Sequence, residues 1–155
     1  MPIEPPRTGL EHLFRAEVAV GAVEDYGMTR AGHRRIVAIS GGSLSQGVDA
    51  TILPGGADWQ VVHADGTLEI DTRYSARTTD GELLHIRTRG VRSGPPDVLE
   101  AILAGEQRSP DEYYFRVVVT IETAAERLRT LQDSLIVAAA AREASRVVYD
   151  AYRVL

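Results

Sequence analysis

The sequence predicts an all-β protein, and the first indication is a set of three alternating runs in the middle of the chain. Two Asp-Gly pairs, Asp65-Gly66 and Asp80-Gly81, separate these runs, and Asp-Gly is a strong local signal for a β-hairpin. A later run, Tyr113–Thr123, shows the same alternation of apolar and polar side chains. We therefore expect an antiparallel meander at the centre of the fold.

The N-terminal third predicts a loose arm followed by extended segments. Residues 1–8, which include a proline-rich stretch, form the expected arm, and Leu10–Val20 alternates well enough for a first strand. Gly21–Arg35 is expected to be a connection. Arg35–Ser40 and Gly47–Leu53 predict further strand segments, and each of them stops at a glycine-containing turn.

The first hairpin of the meander follows the stretch LPGGADW, which contains Asp58 and Trp59, the only tryptophan. A two-residue turn at Asp65-Gly66 opposes Trp59 to Thr72 and Asp58 to Arg73. This register places Trp59 on an apolar face and Asp58 on a charged face. Directly opposed side chains lie about 5 Å apart, so we expect an ion pair between Asp58 and Arg73.

The second hairpin requires a different turn. A two-residue turn at Asp80-Gly81 would place arginines on the apolar face, so we predict a three-residue turn with Gly81 in the left-handed conformation. Tyr74 then opposes Ile86, and Asp71 opposes Arg89. The expected charged face contains six side chains: Asp58, Asp71, Arg73, His85, Arg87 and Arg89.

The rest of the chain predicts two helical segments and three strands. Asp97–Gly105 has helical spacing, with Asp97 as the N-cap and Gly105 as the stop, and Ala124–Asp133 is expected to be a short helix or helical turn. The strand Tyr113–Thr123 places Tyr114, Arg116 and Glu122 on its polar side. The Ala-rich C-terminus favours a helix by propensity but alternates like two strands, with a turn at Glu143–Ser145.

Composition narrows the function classes. The chain has 155 residues, no cysteine and a net charge of −5 that is spread along its length. We therefore expect one domain, no thiolate metal site, and neither nucleic acid nor membrane as a partner. No secretory signal pattern is present, so a cytoplasmic location is expected. No histidine spacing predicts a metal site, and no fingerprint predicts a cofactor.

Several motifs in order resemble one known family. GHRRIVAISGG, LPGGADW, DGTLEIDTRYSARTTDGELLHIRTRG, YYFRVVVTIET and the terminal VYDAYRV are similar to the bacterial and fungal family called domain of unknown function 3237. The resemblance covers about Gly9 to the end, and it implies a small single-domain barrel with strands at the C-terminus. The predicted fold is therefore all-β, a single antiparallel β-barrel of about 8–10 strands with one or two short helices.

The charged face supports two interpretations, a solvated outer surface or the lumen of a barrel that holds a ligand. In the second, the protein is a cofactor-independent isomerase, cyclase or lyase that acts on a polar or phenolic metabolite. The expected catalytic residues are Asp58, Arg116 and Glu122, and the expected substrate-binding residues are Trp59, Asp71, Arg73, Tyr74, Arg87 and Tyr114. A non-catalytic carrier and a structural, homo-oligomeric barrel remain alternatives, and a homo-oligomer is compatible with each.

Overall fold

Nine antiparallel strands form a ring in the computed structural model, which describes residues 1–155. One α-helix and two 3₁₀ segments, Pro110–Glu112 and Glu126–Gln132, accompany them. The elements run β1 Leu10–Thr29, β2 Gly32–Ser45, β3 Ala50–Ile52, β4 Gly56–Val62, β5 Leu68–Thr78, β6 Leu83–Ser93, α1 Pro96–Leu103, β7 Tyr114–Thr123, β8 Ile136–Arg142 and β9 Arg146–Val154. The predicted all-β barrel is confirmed.

Strand β2 closes the ring. Strands β5, β6, β7, β8, β9 and β1 are successive neighbours, and β2 pairs with β1 along one edge. Along its other edge β2 pairs with β4 over His33–Ile39 and with β3 over Gly42–Leu44. Both β3 and β4 pair in turn with β5. Because one long strand bridges two short ones, the ring closes around a shared interior.

The interior is a continuous apolar core. Inward side chains of all nine strands contribute to one buried cluster, which includes Phe14, Leu68, Ile86 and Ile136. The two ends of the barrel are covered differently. Helix α1 adds Val98 and Ile102 at the end where β6 finishes, and the second 3₁₀ segment adds Leu128 and Leu131 at the opposite end, where β7 finishes.

The predicted connection at Gly21–Arg35 is wrong. Strand β1 continues through Thr29, and β2 starts at Gly32, so the two strands form a long hairpin with a tight turn. The outer part of this hairpin exposes most of its side chains, so it lacks the apolar alternation that marks a strand in the sequence. Pairing of β2 with β4 supports it instead.

The helices and the C-terminal strands agree closely with prediction. Strands β8 and β9 are confirmed, with the turn at Glu143–Ser145. Helix α1 is also confirmed, although Pro95 occupies the N-cap and Asp97 lies in the first turn. Pro96 begins the helix because proline lacks the amide hydrogen that the first turn leaves unpaired.

The β4–β5 hairpin is one residue out of the predicted register. Asp58 opposes Thr72 rather than Arg73. The turn contains three residues: the His63 amide donates to the Thr67 carbonyl (2.9 Å), the Gly66 amide donates to the His63 carbonyl (2.9 Å), and Gly66 has a φ of 87°. A one-residue shift exchanges the faces of a strand. Asp58 therefore points into the barrel, and Trp59 points outward.

The β5–β6 hairpin has the predicted register. Tyr74 opposes Ile86, Asp71 opposes Arg89, and Gly81 adopts a φ of 88°. The expected ion pair between Asp58 and Arg73 is wrong, because these side chains lie on opposite sides of the barrel wall. The charged face faces solvent, and Asp58 is its one predicted member that lies in the interior.

Gly56 is expected to tolerate no larger residue. A Cβ atom there would lie 2.4 Å from the Arg73 carbonyl oxygen and 2.6 Å from Tyr74 Cβ. We expect Gly56→Ala to lower the free energy of unfolding by about 1–3 kcal/mol in urea titrations. Gly21→Ala is the control, since its Cβ would meet nothing closer than 3.8 Å. Equal losses for the two variants would contradict the prediction.

Candidate functional site

A small cavity lies inside the barrel. Its volume is about 40 Å³, enough for one or two water molecules. Most of its wall is apolar, and five lining residues carry a polar group. The lining comprises Val18, Val20, Ile39, Asp58, Ile70, Thr72, Tyr74, Thr88, Phe115, Val117, Ala140, Val147 and Tyr149. An apolar cavity with a few convergent polar groups is the usual form of a small-molecule site.

Asp58 is the acidic group of this cavity, and it is only 8% exposed. Gln60 Nε2 donates to Oδ2 (2.8 Å), and the Asp71 amide donates to Oδ1 (3.2 Å). Both donors are neutral, and no arginine forms an ion pair with the carboxylate. Burial raises the pKa of Asp58, although the two hydrogen bonds and the charge of Arg92 partly oppose that rise. The carboxylate therefore holds a proton more readily than an exposed aspartate does.

Two tyrosines form a hydrogen-bonded pair on the cavity wall. The hydroxyls of Tyr74 and Tyr149 lie 2.5 Å apart, and both rings are buried. Burial raises the pKa of each phenol above its ordinary value, so both are neutral at physiological pH. The hydroxyls of Thr72 and Thr88 also contact each other. Each of these hydroxyls can redirect its hydrogen to a bound oxygen atom.

Three arginines lie towards the α1 end of the interior. Arg35 donates to Gln60 Oε1 (3.2 Å), so it connects through Gln60 to Asp58. Arg92 is 4% exposed, and its guanidinium lies over the Phe115 ring, 5.6 Å from the ring centroid. Arg142 is half-buried, and its amide donates to the hydroxyl of Tyr113 (2.9 Å). The charges of all three arginines act on Asp58, and none of them forms an ion pair with it.

The predicted site residues separate into two groups. Asp58 and Tyr74 lie in the interior. The other seven lie on the outer surface of the barrel: Trp59, Asp71, Arg73, Arg87, Tyr114, Arg116 and Glu122. The structure therefore does not bring Arg116 or Glu122 to Asp58.

The outward residues make contacts of their own. Arg87 donates two hydrogen bonds to Asp71 (3.1 and 3.4 Å), and Glu122 lies 3.2 Å from His85. The Arg116 guanidinium lies over the ring of Tyr114, 5.1 Å from its centroid. The predicted alternation of β7 is confirmed, and it is the apolar row beginning at Phe115 that faces inward.

The sequence pattern did not predict the interior positions of Gln60 and of the three arginines. Arg92 has the same parity on β6 as Leu84 and Ile86, and Arg142 has the same parity on β8 as Ala140. A charged residue that continues an apolar row is the signal that could have identified them. Gln60 shares its face of β4 with Asp58, and the one-residue difference in the register of the first hairpin brings both into the interior.

No cluster of three or more histidine, cysteine or acidic side chains has an arrangement that could hold a metal ion. None of the helices combines the length and the apolar character that a membrane span requires.

Because the hydroxyls of Tyr74 and Tyr149 are hydrogen-bonded to each other, we expect their contributions to the unfolding free energy to be coupled. Tyr74→Phe leaves the buried hydroxyl of Tyr149 without its partner, and we expect a loss of about 1–3 kcal/mol in unfolding free energy. Tyr149→Phe should cost a similar amount. The double substitution removes both hydroxyls, so its cost in urea titrations should be well below the sum of the single costs. Additive costs would show that the hydroxyls do not interact.

The raised pKa of Asp58 predicts a pH dependence of stability. The folded chain favours the protonated carboxyl, so it binds more protons than the unfolded chain between the ordinary pKa of 3.8 and the raised value. The unfolding free energy of the native protein, relative to Asp58→Asn, should therefore fall as pH rises through that window. It should become constant above the window. Urea titrations at several pH values measure this difference, and a difference that rises with pH would contradict the assignment.

Comparisons with known proteins agree with this fold. A UPF0311 protein of Bradyrhizobium diazoefficiens is 35% identical over 150 residues, which cover 97% of this chain and 99% of the relative. The crystal structure of a β-barrel-like protein from Acinetobacter baumannii matches with a TM-score of 0.86 and 36% identity, covering 99% of this chain and 100% of that chain.

A more distant similarity has the same architecture. The crystal structure described as an enzyme from Penicillium herquei has a TM-score of 0.70 and 19% identity, and the match covers 97% of this chain and 99% of that chain. At this identity the similarity shows the fold alone. The family model "Protein of unknown function (DUF3237)" matches residues 8–154. The chain therefore belongs to the DUF3237 family of β-barrel proteins.

Proposed function

We propose that this protein binds a small organic metabolite inside the barrel and that Asp58 transfers a proton on it. The observation that carries the proposal is the state of Asp58, which is buried at an apolar cavity and paired with no cation. A carboxylate held only for structure is ordinarily paired with a cation when buried. The reaction class is a cofactor-independent isomerisation, cyclisation or elimination.

The chemistry of the cavity suits a proton transfer between carbon or oxygen atoms. Asp58, as the base, removes a proton from a carbon beside a carbonyl, and the electron pair of the broken C–H bond moves onto the carbonyl oxygen to give an enolate. The raised pKa of Asp58 is closer to neutral pH than that of an exposed aspartate, and a pKa near the working pH makes both removal and return of a proton efficient. Tyr74 and Tyr149 remain neutral and can donate a hydrogen bond to the developing oxyanion. Asp58 then returns the proton to a different atom.

The size of the cavity limits how a substrate binds. A volume of about 40 Å³ admits only the reacting end of an organic molecule unless side chains at the wall move. The apolar walls formed by Ile39, Phe115 and Val147 favour a hydrocarbon or aromatic group there. We therefore expect the remainder of the substrate to extend towards the half-buried Arg35 and Arg142.

Two further observations bear on this choice. The enzyme from Penicillium herquei supports the proposal only in showing that an enzyme can be built on this fold. A non-catalytic carrier is the second candidate, and it is favoured by the low polarity of the lining and by the mutual hydrogen bond of Tyr74 and Tyr149. The expected cytoplasmic location and homo-oligomeric state stay predictions.

Deuterium incorporation tests the proposed proton transfer before the substrate is known. The purified protein is incubated in D₂O with a panel of small phenols, 1,3-diketones and 2-oxo acids, and mass spectrometry measures the deuterium gained. We expect faster exchange for one class of compound, and a loss of about 10²–10⁴-fold in Asp58→Asn, because the variant lacks the base. Urea titration establishes that the variant is folded.

The controls separate Asp58 from other acids. Glu69→Gln removes an exposed carboxylate of the outer surface and should exchange at the native rate. Glu122→Gln tests the other acid that the sequence nominated. A loss in Glu122→Gln with normal exchange in Asp58→Asn would move the reaction to the outer surface, and binding without exchange in any panel compound would favour the carrier.

A further inference from the structure

We propose that Arg35, Arg92 and Arg142 form a binding site for a carboxylate group of the ligand. The inference deepens the proposed function, and it rests on that function only in assigning the carboxylate to the molecule on which Asp58 acts. Its ligand class is therefore a small carboxylic acid whose apolar or aromatic part fills the cavity.

Arg92 provides the main observation. Its strand neighbours are Leu68 on one side and Phe115 on the other, both buried and apolar, and Arg92 itself is only 4% exposed. Its Nε atom is buried and has no hydrogen-bond partner. A charged donor without an acceptor is unfavourable in an apolar surrounding, and native proteins rarely retain one. The structure therefore holds a donor that a ligand oxygen can satisfy.

Arg35 and Arg142 bring further positive charge to the same region. Arg35 binds the neutral oxygen of Gln60, and Arg142 Nη1 binds the carbonyls of Glu143 and Arg146. Neither arginine has a carboxylate at ion-pair distance. Asp25, the other acid near Arg35, is bound to His33 and Gly27 instead. Three guanidinium groups thus share one buried acid, Asp58, and the cluster keeps a net positive charge.

Repulsion among the guanidinium groups of the three arginines also supports an anion site. Burial lowers the pKa of Arg92 to about 10, and the neighbouring charge of Arg142 adds to the effect. Burial lowers the pKa of Arg142 as well, with a contribution from the charge of Arg35. A bound anion would raise the pKa of Arg92 and of Arg142, because it stabilises the charged form of each guanidinium.

A carboxylate fits better than a phosphate. The guanidinium fork binds either group through paired hydrogen bonds. Arg92 lies in a buried, apolar surrounding between Leu68 and Phe115, however, and a singly charged carboxylate costs less to desolvate there than a doubly charged phosphate does.

Titration with sodium benzoate tests the site. We expect calorimetry to detect binding, and we expect the ¹⁵N–¹H signal of Arg92 Nε to shift on addition of benzoate. Arg92→Met should weaken binding by about tenfold or more, because a charge-assisted hydrogen bond is lost. Arg89→Met removes an exposed arginine of the outer surface and is the control that keeps native affinity. Arg142→Met, on a partly exposed side chain, provides a second variant if Arg92→Met does not fold.

Several outcomes would overturn the inference. These are no benzoate binding, native affinity in both Arg92→Met and Arg142→Met, or inorganic phosphate binding more tightly than benzoate. Asp58→Asn distinguishes this inference from the proposed function. That variant should bind benzoate at least as tightly as the native protein, since a negative charge is removed. Binding through Arg92 with no deuterium exchange on any compound of the panel would retain the anion site and reject the proton transfer.

Discussion

The length of the turn between β4 and β5, which contains three residues and ends at Gly66, determines which side chains of β4 enter the barrel. With Gly66 at a φ of 87°, the amide of His63 reaches the carbonyl of Thr67, and the turn takes three residues. Strand β4 then opposes β5 in the register that sends Asp58 inward and Trp59 outward. A two-residue turn would reverse both side chains. The interior carboxylate, and with it the candidate site, depends on this one turn.

The interior contains a buried carboxylate and a buried guanidinium that do not pair with each other. The buried carboxylate of Asp58 has only neutral donors, and the buried guanidinium of Arg92 has an apolar ring instead of an acid. Moving these two groups into contact would form an ordinary buried ion pair. Instead the two groups stay unpaired, and Asp58 lines the cavity. Such unpaired buried charges cluster at functional sites more often than in structural cores.

The barrel supports this arrangement through its closure. Strand β2 pairs with β1 along one edge and with β3 and β4 along the other, so the barrel wall beside Asp58 is hydrogen-bonded on both sides. The pairing of β2 with β4 places Arg35 directly opposite Gln60, to which it donates a hydrogen bond. Helix α1 and the second 3₁₀ segment bury apolar residues at opposite ends, which leaves the polar groups inside with little access to water. Low local polarity strengthens every electrostatic interaction of the site.

Local sequence signals determined the β class, the left-handed turn at Gly81, helix α1 and the alternation of β7, because each depends on residues close together in the chain. At the two C-terminal strands the local signals conflicted, and the family resemblance favoured strands. The ring closure was expected only from the family resemblance. The tertiary structure alone decided the register at Asp58 and the proximity of Arg35, Arg92 and Arg142. Asp-Gly is compatible with turns of two or three residues, and the choice between them depends on which face the rest of the barrel buries. The arginines lie on three different strands, so only the closed ring brings them near Asp58.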